Sequence, residues 1–165
     1  MRRIISVLME NEPGALSRIV GLFSQRGYNV DSLCVATTID PSLSRLTITT
    51  HGNDKVIEQI TKQINKLVDV FKVTDLTDGE HIERELMLLK VATPTEQSRA
   101  EIKRNVDIFR AQILDVSAKT YTIQATGSSD KLDAFLGSVA DYADVVEVSR
   151  TGVCGLARGE RALKI

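Results

Sequence analysis

The chain has 165 residues, enough for one ordinary domain or two small ones. Its 42% hydrophobic and 26% charged residues belong to a globular chain and exclude a disordered, collagen-like or disulfide-built one. A net charge of -1 gives no electrostatic reason to bind nucleic acid, and no run of about 18 apolar residues offers a transmembrane helix.

Residues 3–10 read as a strand whose apolar run is too short for a signal peptide, which points to the cytoplasm. Asn11-Glu12-Pro13-Gly14 is a turn leading into Leu16, Ile19, Val20 and Phe23 at helical spacing. The helix stops at Arg26-Gly27, and Tyr28 to Thr38 runs extended until Asp40-Pro41-Ser42. Leu46 and Ile48 alternate with Arg45, Thr47 and Thr49 in a third strand ending near His51-Gly52. Asn53-Asp54 caps a second helix with Val56, Ile57, Ile60, Ile64 and Leu67 on one stripe, and Val68 to Asp75 is the fourth strand. The order is βαββαβ.

Polar residues 78–83 read as a linker, after which the order begins again. Glu85 to Thr93 is extended, and Pro94 to Arg110 carries Ile102, Val106 and Phe109 on one helical face. Ile113 to Ser117 and Tyr121 to Ala125 are strands. Leu132, Phe135, Leu136 and Val139 mark a helix, and Val145, Val146 and Val148 a closing strand. The expected fold is α+β, with two tandem ferredoxin-like βαββαβ domains at 1–77 and 84–150 and a basic tail at 151–165.

No catalytic signature stands out. His51 and His81 sit beside turns and share no carboxylate cluster, and Cys34 and Cys154 form no CxxC and read as free thiols. No phosphate-binding glycine loop follows a strand, and Gly152-Val153-Cys154-Gly155 follows a strand where a KH loop would join two helices. A non-catalytic chain with no metal or cofactor of its own is expected.

The informative segment is Asn11 to Leu16. A helix N-terminus offers unpaired N–H groups and positive dipole, so amides near Gly14 and Ala15 suit a small carboxylate such as that of an amino acid. Gly14 permits close approach, Pro13 fits a helix start, and Asn11 offers an amide without adding negative charge. Alternatively, Asn11 caps the helix and Pro-Gly is only a turn. Asn29 opens the second strand, expected to be a sheet edge. It either eases the turn after Gly27 or, in a two-fold dimer through that edge, reaches the other chain's Asn11–Gly14 loop.

The runs Asn-Glu-Pro-Gly-Ala-Leu-Ser-Arg-Ile and Gly-Leu-Phe-Ser-Gln-Arg-Gly-Tyr-Asn-Val resemble the ACT domain of acetohydroxyacid (acetolactate) synthase small subunits. The likeness continues at residues 40–48, 66–70 and 83–88, at Phe109-Arg110-Ala111, at 131–135 and in the tail. It implies a dimeric regulatory subunit that stimulates a catalytic large subunit and confers feedback inhibition by a branched-chain amino acid, valine above leucine and isoleucine. The effector would lie between Asn11, Pro13, Gly14, Ala15 and Leu16 of one chain and Asn29 and Val30 of the other. Thiamine diphosphate, magnesium and FAD are expected on the catalytic subunit alone. Asn11 stands where ACT domains in general have Asp, and Cys34 where relatives often have a small hydroxyl residue. A free-standing amino-acid sensor acting on another enzyme or on transcription is the alternative, though neither a helix-turn-helix nor a basic surface supports the latter.

Overall fold

The computed structural model describes residues 1–165, which form two compact units: Met1–Glu83 with Val153–Ile165, and Arg84–Gly152. In the first unit β1 (Arg2–Glu10), α1 (Ala15–Gln25), β2 (Val30–Thr37), β3 (Leu43–His51), α2 (Asp54–Ile64) and β4 (Val70–Asp75) follow in sequence. The sheet order is β2-β3-β1-β4, all antiparallel, so β2 is an edge and β1 a centre strand. The two periodicities meet in the core. Ile5, Val7 and Met9 alternate along β1, Leu46 and Ile48 along β3, and Ile19, Phe23, Ile57, Ile60 and Ile64 come from the helices.

The opposite face of this sheet departs from simple alternation. Ser6, Thr47 and Thr49 point away from the helices yet are buried, and Ser32 Oγ bonds Thr49 Oγ1 at 2.6 Å. The C-terminal segment lies against this face. Val153 N–H donates to Ser32 Oγ at 3.3 Å, Arg45 Nη2 to Leu163 O at 3.5 Å, and Lys72 Nζ to Lys164 O at 3.4 Å. Residues 151–165 are therefore no free basic tail. From Val153 onward they belong to the first unit.

Residues 78–83, expected as a linker, are tied down by their charges. Leu76–Asp78 forms one 3-10 turn in which Asp75 accepts from Thr77 N–H. Asp78 accepts from Arg3 at 2.7 Å, and Glu83 accepts from Arg2 at 2.7 Å. Partners on β1 turn a polar stretch into ordered structure.

Strand β5 (His81–Ala92) begins here and enters the second unit, where α3 (Glu96–Ile108), β6 (Gln112–Val116), β7 (Thr120–Gly127), α4 (Ser129–Ala140) and β8 (Val145–Arg150) follow. Its strand order, β6-β7-β5-β8, repeats that of the first. Met87, Leu89 and Val91 face Ile102, Val106, Leu132 and Phe135, with Phe109 and Phe135 rings 5.2 Å apart at 51°. The last strand, β9 (Cys154–Ala157), lies in the C-terminal segment.

The units also end their first helices alike. Tyr28 N–H reaches Phe23 O at 2.9 Å and Ala111 N–H reaches Val106 O at 2.8 Å, each across a left-handed residue. That residue is Gly27 in the first unit, with φ 67°, and Arg110 in the second, with φ 55°. Arginine occupies the left-handed conformation at a cost glycine avoids.

Candidate functional site

Where β1 ends, the chain turns sharply into α1. Ala15 N–H donates to Glu12 O at 3.2 Å, closing a four-residue turn with Pro13 and Gly14 at its centre. Gly14 has φ 87° and ψ -13°, the third-position geometry of a type II turn, which proline precedes naturally and glycine fills without strain. Pro13 thus serves the turn and lies two residues before α1, whereas the sequence suggested the helix start.

Helix α1 lacks what the other helices have. Asn53, Thr95 and Ser128 each cap their helix by accepting a backbone N–H, but the residue before α1 is Gly14, and no side chain caps it. Capping is not the role of Asn11. The first regular helical bond runs from Arg18 N–H to Gly14 O at 3.0 Å, so the Leu16 and Ser17 amides precede it. Ala15 contributes less than expected, because its amide closes the turn and its side chain is 1% exposed in the core. The amides left open to an acceptor here are those of Leu16 and Ser17, at the positive end of the helix dipole.

The loop is clamped from both sides. Asn11 N–H donates to Ser42 O at 2.7 Å, Asn11 Nδ2 to Pro41 O at 3.0 Å, and Ser44 Oγ to Asn11 Oδ1 at 3.2 Å. Each end of the Asn11 amide keeps a second hydrogen-bonding position for a ligand. On the other side Glu10 N–H donates to Asp69 O at 2.8 Å. The Asp69 carboxylate in turn holds Arg18, with Nε to Oδ2 at 2.5 Å and Nη2 to Oδ1 at 2.9 Å. Hydrogen bonding from Arg18 keeps the Asp69 carboxyl below the usual aspartate range, and Asp69 raises the Arg18 guanidinium. Sequence reading passed over this pair because its members stand 51 residues apart. The one available hint was an acid inside the otherwise apolar run Leu67-Val68-Asp69-Val70.

Asn29 and Val30 lie elsewhere in the same chain. Glu10 pairs with Leu43 at one end of the sheet, while Arg2 pairs with His51 and Val30 with Thr50 at the other. The length of β2, about 23 Å at 3.3 Å per residue, therefore separates Asn29 from the Asn11–Gly14 end. Gly27 makes the turn before β2, so Asn29 is not needed for it. Asn29 Nδ2 donates to Asp31 Oδ1 at 2.9 Å, and the other oxygen of Asp31 meets His51 Nδ1. No group of three His, Cys, Asp or Glu side chains is placed to hold a metal ion.

Comparison with known proteins assigns both units. Residues 5–72 match the model of the AHAS small subunit-like ACT domain, and residues 84–159 that of the small subunit of acetolactate synthase. The acetolactate synthase isozyme 3 small subunit of Salmonella typhimurium is 59% identical over 99% of this chain and 100% of its own length. The chain belongs to the acetolactate synthase small-subunit family. The Escherichia coli isozyme 3 small subunit is 58% identical over 99% of the chain and 100% of its own length. The crystal structure of the Thermotoga maritima acetolactate synthase small subunit superposes with a TM-score of 0.87 at 38% identity, covering 98% of this chain and 99% of that one. The ACT assignment falls on the unit that carries the uncapped helix. No helix of this family member is long and apolar enough to cross a membrane.

Proposed function

We infer that this chain is the non-catalytic regulatory subunit of a cytoplasmic acetolactate synthase, that it stimulates the catalytic large subunit, and that valine bound at the ACT unit inhibits the assembly. Membership of the small-subunit family over nearly the whole chain supports the partner. The observation that carries the effector site is the uncapped start of α1 under the Pro13-Gly14 turn, with Asn11 beside it. An amino acid's carboxylate satisfies the Leu16 and Ser17 amides, and the Asn11 amide serves the remaining polar atoms.

The site needs a second copy. Strand β2 is an edge, Val35, Ala36 and Thr37 on it are exposed, and Asp31 is its only charge. An unprotected edge of this kind pairs with another strand. Antiparallel pairing of β2 with β2 about a two-fold axis reverses one sheet against the other. It carries Asn29 and Val30 of the second copy to the end where Asn11 and Gly14 lie. Val30 and Leu16, both packed on the core, then border the aliphatic side chain.

The test is reconstitution. The purified chain with thiamine diphosphate, magnesium and FAD should form no acetolactate from pyruvate, should raise the rate when added to the catalytic subunit, and should lower it again with valine. Acetolactate formed by the chain alone, or a catalytic subunit indifferent to it, contradicts this function.

A further inference from the structure

Arg45, on β3, is withdrawn from water without an acid to answer it. Arg3, Arg18 and Arg150 are each held by carboxylates. Arg45 forms no ion pair: its Nε is buried with no hydrogen-bond partner, and its Nη2 has only the 3.5 Å contact with Leu163 O. Burial pushes its guanidinium below the ordinary arginine value. A buried donor without an acceptor is costly, and a cation in that position calls for an anion.

The room for one is beside it. A cavity of about 410 Å³ lies between the second face of the first unit's sheet and its C-terminal segment, walled by Arg45, Thr74, Leu76, Leu156, Arg161 and Leu163. Arg161 forms no ion pair either, and its guanidinium lies over Gly79, where any side chain would collide with it. Two guanidinium groups and a hydroxyl thus share a cavity whose remaining walls are three leucines, two alanines and a glycine. The volume is that of a small-molecule site, several times the roughly 30 Å³ occupied by one water.

We propose that this cavity binds a small aliphatic monocarboxylate, its carboxylate taken by Arg45 and Arg161 and its hydrocarbon chain by Leu76, Leu156 and Leu163. A planar guanidinium fork matches a carboxylate in two parallel hydrogen bonds, and the leucine walls favour an organic acid over inorganic phosphate. This site is separate from the start of α1 and needs no amino group on its ligand.

The experiment uses 3-methylbutanoate as probe, added to the full chain with labelled leucine methyl groups. Saturable shifts at Leu156 and Leu163 are expected. Affinity should fall at least tenfold in Arg45→Gln and in Arg161→Gln, and should be unchanged in Asn29→Ala. Arg161 is exposed, so its variant reads binding even where Arg45→Gln disturbs the fold. Absence of a saturable shift up to about ten millimolar overturns the proposal, as does binding unaffected by Arg161→Gln. Phosphate binding as tightly as 3-methylbutanoate overturns the ligand class.

Discussion

Arg18 is clasped by Asp69 in two hydrogen bonds, and its guanidinium lies over Gly14, so that a Cβ added at Gly14 would stand 2.9 Å from Arg18 Nη1. The turn, the ion pair and the start of α1 form one unit, and a substitution at any of them reaches the others.

Gly14→Ala should show this. A side chain at φ 87° carries the left-handed strain of about 1–2 kcal/mol and displaces Arg18 as well. Chemical denaturation should report a loss of at least about 1 kcal/mol, and valine binding should weaken with it. Gly14 substitutions are accordingly poor discriminators of the ligand site, whereas Asn29 substitutions leave the turn intact.

The Asp69 carboxyl offers a test by pH. Its folded value lies below the ordinary one because Arg18 hydrogen-bonds the charged form. A depressed carboxyl contributes stability above the unfolded value of about 3.9 and loses it as the pH falls through the folded value. Carboxyl-carbon NMR should therefore find Asp69 titrating below about pH 3.9. In Arg18→Met the midpoint should move upward. An unmoved midpoint would show that the ion pair does not act on Asp69.

Arg110→Gly should stabilise the second unit. Glycine removes the left-handed strain of about 1–2 kcal/mol and restores some unfolded-chain entropy, leaving a net gain of about 0.5–1 kcal/mol. A shift of the denaturation midpoint to higher denaturant without a change of slope is the expected result.

Val35→Lys should break the proposed dimer, because Val35 is 37% exposed on β2 and two such charges would approach each other across the pairing. Sedimentation velocity should show a monomer, and an undisturbed dimer would place the interface elsewhere.

Much of this arrangement is legible in the sequence, for reasons that differ by position. Ile19 and Phe23, or Ile57, Ile60 and Ile64, announce helices because one face is buried at one period. Asn53 announces its helix because a cap acts over three residues. Asn11 was legible as a site residue but its bonds to Pro41, Ser42 and Ser44 were not, since they join segments about 30 residues apart. The contacts of the C-terminal segment are hidden in the sequence for the same reason. Arg158 and Arg161 look like a basic tail until Arg158 N–H meets Glu80 O and Arg161 covers Gly79. The burial of Thr47 and Thr49 is not visible in the alternation of β3, because it depends on chain far along the sequence.

The most direct test of a shared effector site is complementation between two damaged chains. Asn11→Ala and Asn29→Ala should each, alone, abolish valine binding by calorimetry, because every site of each dimer lacks one amide. Random mixing after unfolding and refolding together makes half the dimers mixed, each with one intact and one doubly damaged site. Binding should then return to about a quarter of all sites at the parent's affinity. A mixture that binds no valine, or a single variant that binds it as tightly as the parent, would contradict a site built from Asn11 of one chain and Asn29 of the other.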